Sequence, residues 1–120
     1  MEVKLFTSEL RVMECLWDEG PASAKRLSDM LKERIGWSIN TSYTVITKCV
    51  TKGYIERSEP GFFCKPLLSR EEAQAGELET VCNKLFKGDV NELVSCALKN
   101  FKLDSKNLDE LKLLLYGKKK

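Results

Sequence analysis

The segment Trp37–Pro66, W-S-I-N-T-S-Y-T-V-I-T-K-C-V-T-K-G-Y-I-E-R-S-E-P-G-F-F-C-K-P, constrains the fold more than any other part of this chain. Ser42, Val45, Ile46, Cys49 and Val50 recur at helical spacing. That period stops at Gly53, a residue suited to the left-handed position after a helix. Two short runs follow, Tyr54–Arg57 and Phe62–Leu67, joined through Ser58-Glu59-Pro60-Gly61. Pro and Gly together fit a tight turn between strands. The pattern predicts a helix from about Asn40 to Gly53, then a β-hairpin. Phe62 and Cys64 should share one face of the hairpin, with Phe63 and Lys65 on the other.

The outer face of that helix is unusual. At about 100° per residue, Asn40, Thr44, Thr47, Lys48 and Thr51 fall opposite the apolar side. Solvated helix faces favour Glu, Lys, Gln and Arg, whereas a β-branched Thr loses rotamer freedom there. Four threonines between Thr41 and Thr51, with Tyr43 beside them, suit contact better than helix stability. Their hydroxyls can bond phosphates or base edges, and their methyls can pack on thymine in a major groove. The plainer alternative is an ordinary solvated helix with an uncommon run of Thr.

Two shorter helices precede this one. The first is expected from about Glu9 to Glu19, with Thr7 or Ser8 as N-cap and Gly20-Pro21 as stop. Leu10, Met13, Leu16 and Trp17 form its apolar stripe. The second is expected over Ala24–Arg34 behind an N-cap at Ser23, with Leu27, Met30 and Leu31 facing inward. Helix, helix, polar-faced helix and hairpin make a winged helix-turn-helix, and that fold points to duplex DNA. Arg57 and Lys65 on the hairpin could reach the phosphate backbone, or could be ordinary solvated strand charges.

From Ser69 onward the composition is helical. Ser69-Arg70-Glu71-Glu72 reads as a capping box for a helix to about Phe86. Further helices are expected over Val90–Lys99 and from Asp104 or Ser105 toward a frayed Gly117–Lys120 tail. The fold class is therefore mainly α with a small β-hairpin, a winged helix over 1–68 and a helical unit over 69–120. About fifty residues rarely build a sufficient core alone. A second copy related by C₂ symmetry is the commonest solution. Leu93, Leu98, Leu108, Leu111 and Leu115 are the expected dimerisation residues. The alternative is that these helices fold back within one chain.

The remaining composition excludes more than it suggests. Net charge is only +2, balanced at ten basic and nine acidic residues on each side of Leu68. Within 40–66, Lys48, Lys52, Arg57 and Lys65 face only Glu56 and Glu59, a modest patch for DNA phosphates. The five cysteines lie far apart and there is no histidine, so no metal site, cofactor or Cys-His nucleophile is expected. Cys15, Cys49, Cys82 and Cys96 occupy apolar helical positions, where a thiol acts as a small hydrophobe. No paired base and nucleophile, phosphate loop or membrane-length apolar run stands out, so a non-enzymatic cytoplasmic protein is expected.

Glu9–Lys25, Trp37–Ile55, Leu68–Glu72 and Lys84–Leu98 together resemble the penicillinase-repressor family of winged-helix repressors. The resemblance implies a homodimer that binds a dyad operator and represses transcription of β-lactam resistance genes. It places Thr41, Thr44 and Lys48 in the major groove, with Asn40 and Thr47 as neighbours. It also implies a sensor protease that inactivates the repressor at an Asn-Phe bond, matched here by Asn100-Phe101. The plainer reading is that Asn100 ends a helix and Phe101 plugs a core. A winged-helix module that binds protein or RNA is the alternative function. It would favour an apolar or acidic outer face in place of the Thr-rich one.

Overall fold

In a computed structural model of the chain, residues 3–118 are described. The order of elements is α1 Thr7–Glu19, β1 Ala22–Ser23, α2 Ala24–Ile35, α3 Ile39–Thr51, β2 Ile55–Ser58, β3 Phe63–Pro66, α4 Arg70–Phe86, α5 Val90–Asn100 and α6 Ser105–Lys118. Local chemistry sets most of these ends. The Ser23 hydroxyl accepts from the Arg26 amide at the start of α2, and the Ser38 hydroxyl accepts from the Thr41 amide at the start of α3. Gly36 closes α2 in the left-handed conformation, with φ of 73°. At α4 the expected capping box forms: Glu72 N donates to Ser69 Oγ at 3.0 Å, and Ser69 N donates to Glu72 Oε1 at 2.9 Å.

The first helix departs from expectation. It begins at Thr7, two residues earlier than the expected Glu9, and its cap is Phe6 and not Thr7 or Ser8. Phenylalanine has no acceptor, so the junction rests on the return half of a capping box. Phe6 N donates to Glu9 Oε1 at 2.9 Å. Glu9 is fully buried, and Lys52 Nζ donates to the same oxygen at 2.8 Å. Lys52 also reaches the Lys4 carbonyl and lies 4.2 Å from the centre of the Phe6 ring. The last residue before Gly53 is thereby tied to the chain entering α1.

The winged helix is built around Met13, Leu16, Leu27, Leu31, Ile46 and Ile55, all buried in one cluster. Leu10 and Trp17 of the expected stripe are only half-buried, and Trp17 Nε1 donates to the Leu68 carbonyl at 2.9 Å. The sheet is antiparallel with the order β1-β3-β2. Ala22 pairs with Cys64 and Ser23 with Phe63, so a two-residue strand joins the hairpin. Asp18 accepts from Arg70 at 2.8 Å and from Arg34 at 3.0 Å, tying the ends of α1 and α2 to the start of α4. The Arg70 hydrogen bond, and then Arg34, hold the Asp18 carboxyl below its usual range.

The chain divides into two compact units, Met1–Leu78 and Glu79–Lys120, with the division inside α4. In the second unit α5 is capped by Asp89, whose side chain accepts from the Glu92 amide. The last helix continues through Gly117 to Lys118, where a frayed tail was expected to begin; Lys119 and Lys120 lie outside the described residues. Cys15, Cys49, Cys64 and Cys82 are buried, but Cys96 is exposed, contrary to its expected role as a core hydrophobe. Burial pushes the Cys49 thiol up to about 12 and the Cys64 thiol up to about 11, so both stay protonated at neutral pH.

Candidate nucleic-acid interface

Ser42, Val45, Ile46 and Cys49 fix the inner side of α3 in the core. Asn40, Thr41, Thr44, Thr47, Lys48 and Thr51 are exposed on the rest of the helix. The face is partly organised by its own hydrogen bonds. Ser38 Oγ donates to Thr41 Oγ1 at 3.0 Å, and Thr44 Oγ1 donates to the Asn40 carbonyl at 2.8 Å. That back-bond uses the Thr44 proton and leaves its oxygen lone pairs and its methyl to a ligand. Ile39, the first residue of α3, is 63% exposed beside this face. Sequence reasoning passed over it; the signal was an apolar residue off the buried stripe.

The wing packs against α3 through aromatic rings. Phe62 meets Tyr43 edge-on, with centroids 6.0 Å apart and planes at 79°. The Arg57 guanidinium lies 3.6 Å from the centre of the Phe62 ring. Its Nε donates to Glu59 Oε2 at 2.6 Å, and this bond holds the Glu59 carboxyl below its usual range. Phe62 and Cys64 turn inward as expected, whereas Phe63 and Lys65 are exposed. The strand register separates the two wing cations. Arg57 lies opposite Cys64, whereas Lys65 lies opposite Glu56, so their side chains leave on opposite faces. Lys52, counted with the local basic patch, is committed to Glu9 on the other side of α3's end.

In the second unit, Leu98, Leu108, Leu111 and Leu115 are exposed, and Leu93 is half-buried. Leu85, Val90, Val94, Leu113, Leu114 and Tyr116 are exposed too. Apolar area of this extent is unusual on a monomer surface. Asn100 ends α5, its Nδ2 donating to the Cys96 carbonyl at 2.8 Å. Phe101 leaves the helix in extended conformation and is 71% exposed, so it plugs no core within this chain. No group of His, Cys, Asp and Glu that could hold a metal occurs among the described residues.

The sequence profile of the family described as penicillinase repressor matches residues 6–116. This chain belongs to the penicillinase repressor family. Similar proteins include the methicillin resistance regulatory protein MecI of Staphylococcus aureus, 26% identical over 96% of this chain and 95% of its own length. The penicillinase repressor of Staphylococcus aureus is 28% identical over 95% of this chain and 92% of its own. That of Bacillus licheniformis is 23% identical over 90% and 86%. The penicillinase repressor match takes in all nine elements, from the cap of α1 to most of α6. The family and these relatives are named for regulation and repression, and this penicillinase repressor family member is not an enzyme.

Proposed function

We propose that this chain is a sequence-specific transcriptional repressor that binds duplex DNA as a homodimer. The observation that carries this reading is the α3 face, where Asn40, Thr41, Thr44, Thr47 and Lys48 stand exposed on a helix locked from behind by Val45, Ile46 and Cys49. A rigid helix with a short polar face fits the major groove, where hydroxyls and a lysine meet base edges and phosphates. Arg57 and Lys65 act from the wing on the backbone and fix register. The names of the relatives point to β-lactam resistance genes as the regulated set.

The apolar surface of the second unit supports the homodimer, with Leu93, Leu98, Leu108, Leu111 and Leu115 between copies. Two copies related by C₂ symmetry present two recognition helices to a dyad operator. Induction works by a sensor protease cutting Asn100–Phe101. The extended, exposed Phe101 at the end of α5 supports that step, because proteases take extended backbone. The repressor works in the cytoplasm, where its DNA is; no helix among the described residues is long and apolar enough to cross a membrane.

Single substitutions separate the roles on α3. Thr44→Ala should cost about 1–3 kcal/mol and relax discrimination at one position per half-site. Lys48→Ala should weaken all sequences alike and flatten the salt dependence by about one unit. Gel shifts on a preferred and a scrambled duplex, across a salt series, distinguish them. Full-strength binding by the double variant would remove α3 from the interface.

A further inference from the structure

The wing holds a charge arrangement that a plain phosphate clamp would not need. Arg57 is linked to α3 through Phe62 and Tyr43. Its guanidinium lies over the Phe62 ring, 3.6 Å from the centre, and is held at Nε by Glu59, two residues on. Glu59 is anchored in turn, because the Phe62 amide donates to its other oxygen, Oε1, at 3.3 Å. The ring contact and the Nε bond leave one edge of the fork, the two Nη groups, for which no partner is found among the described residues. Both side chains are about half exposed, at 46% and 58%, so the pair sits where DNA could compete for it.

An exposed ion pair of this kind contributes little to folding. Its effect on a polyanion is larger. A free guanidinium on the wing would attract any phosphate and release a counterion at every sequence. Beside Glu59 that attraction is cancelled at long range, because the pair is neutral seen from a Debye length of about 8–10 Å. At short range the ordered Nη edge still offers a planar two-donor fork to a phosphate oxygen pair. Only a backbone already in register with the α3 contacts reaches that edge.

We propose that Glu59 is a specificity-determining residue: it neutralises Arg57 against DNA at large while presenting the guanidinium edge to one phosphate of the correctly docked operator. This rests on the DNA reading above. Glu59 contacts no DNA itself, so it is a positioning residue that acts through Arg57.

The test is fluorescence anisotropy of the full chain and its variants on two duplexes across a salt series. One duplex is enriched from a random pool by the wild-type protein, and the other is a scrambled version of it. Glu59→Gln keeps an oxygen for the Phe62 amide and removes the charge. It should bind the scrambled duplex several-fold more tightly, steepen its salt dependence by about one unit, and shrink the ratio between the two duplexes. Arg57→Gln with Glu59→Gln should abolish that gain, which a role confined to the turn would not predict. Unchanged or weakened scrambled binding by Glu59→Gln overturns the proposal. So does a gain that persists without Arg57. Wild-type protein that enriches no duplex overturns the DNA reading and this proposal with it, whereas normal wild-type preference with no Glu59 effect overturns the proposal alone.

Discussion

Lys52→Met will destabilise the winged helix by about 3–5 kcal/mol, the cost of leaving a buried charge without its partner. Glu9 is fully buried, its Oε1 takes both Lys52 Nζ and the Phe6 amide, and its Oε2 has no partner among the described residues. Methionine keeps the volume of the lysine stem and removes the ammonium. It also removes the bond to the Lys4 carbonyl and the cation over Phe6. The measurement is urea denaturation followed by tryptophan fluorescence. Both tryptophans, Trp17 and Trp37, lie in the first unit, so the signal reports the winged helix and not the C-terminal helices. Lys48→Met, on the exposed face of α3, is the control and should change stability by less than about 0.5 kcal/mol. A loss under about 1 kcal/mol for Lys52→Met would place the pair among ordinary surface ion pairs.

Leu111→Asp should dissociate the proposed homodimer at concentrations where the wild-type chain pairs. Burying a leucine contributes about 1.5–3 kcal/mol, and C₂ symmetry counts each substitution twice. Dimer affinity should therefore fall by roughly two to four decades. Equilibrium ultracentrifugation reads this directly. A chain ending at Asn100, as the proposed cleavage would leave it, lacks Phe101, Leu103 and the whole of α6, and should behave the same way, because Leu108, Leu111 and Leu115 go with it. In both variants the winged helix should stay folded while binding to a two-half-site operator collapses toward that of one half-site, as linkage between the sites is lost. Dimers of unchanged strength would move the interface to another surface.

The helices of the winged helix were legible because their signals are local. Ser23 and Gly36 bound α2 by capping chemistry that needs no tertiary contact. The same holds for Ser69 and Glu72 at α4. The strand β1 was not legible, because two residues carry no periodicity and only pairing with Cys64 and Phe63 makes them a strand. The start of α1 was misread because Thr7 and Ser8 are better caps than Phe6; the bond of Lys52 to the buried Glu9, which joins residues far apart in sequence, moves the start. Lys52 was counted in the local basic patch for the same reason. A charge count over residues 40–66 includes it, whereas Glu9 decides where it points. The exposed set on α3 follows from the helical period, but the separation of Arg57 from Lys65 depends on strand register, and Arg57's partner on the turn. Cys96 was read as a small hydrophobe because it falls at apolar helical spacing, and spacing alone does not decide whether a position is covered.

In the proposed repressor, α3 of a symmetric dimer reads a specific duplex. Selection of duplexes from a random pool, by the wild-type chain and by a Thr44→Ala, Lys48→Ala variant, tests it most directly. The wild type should enrich an inverted repeat whose half-sites are centred about 10 base pairs apart or a multiple of that. The variant should lose the enrichment while remaining folded and dimeric. Failure of the wild type to enrich any sequence, or enrichment of the same repeat by the variant, would contradict the account.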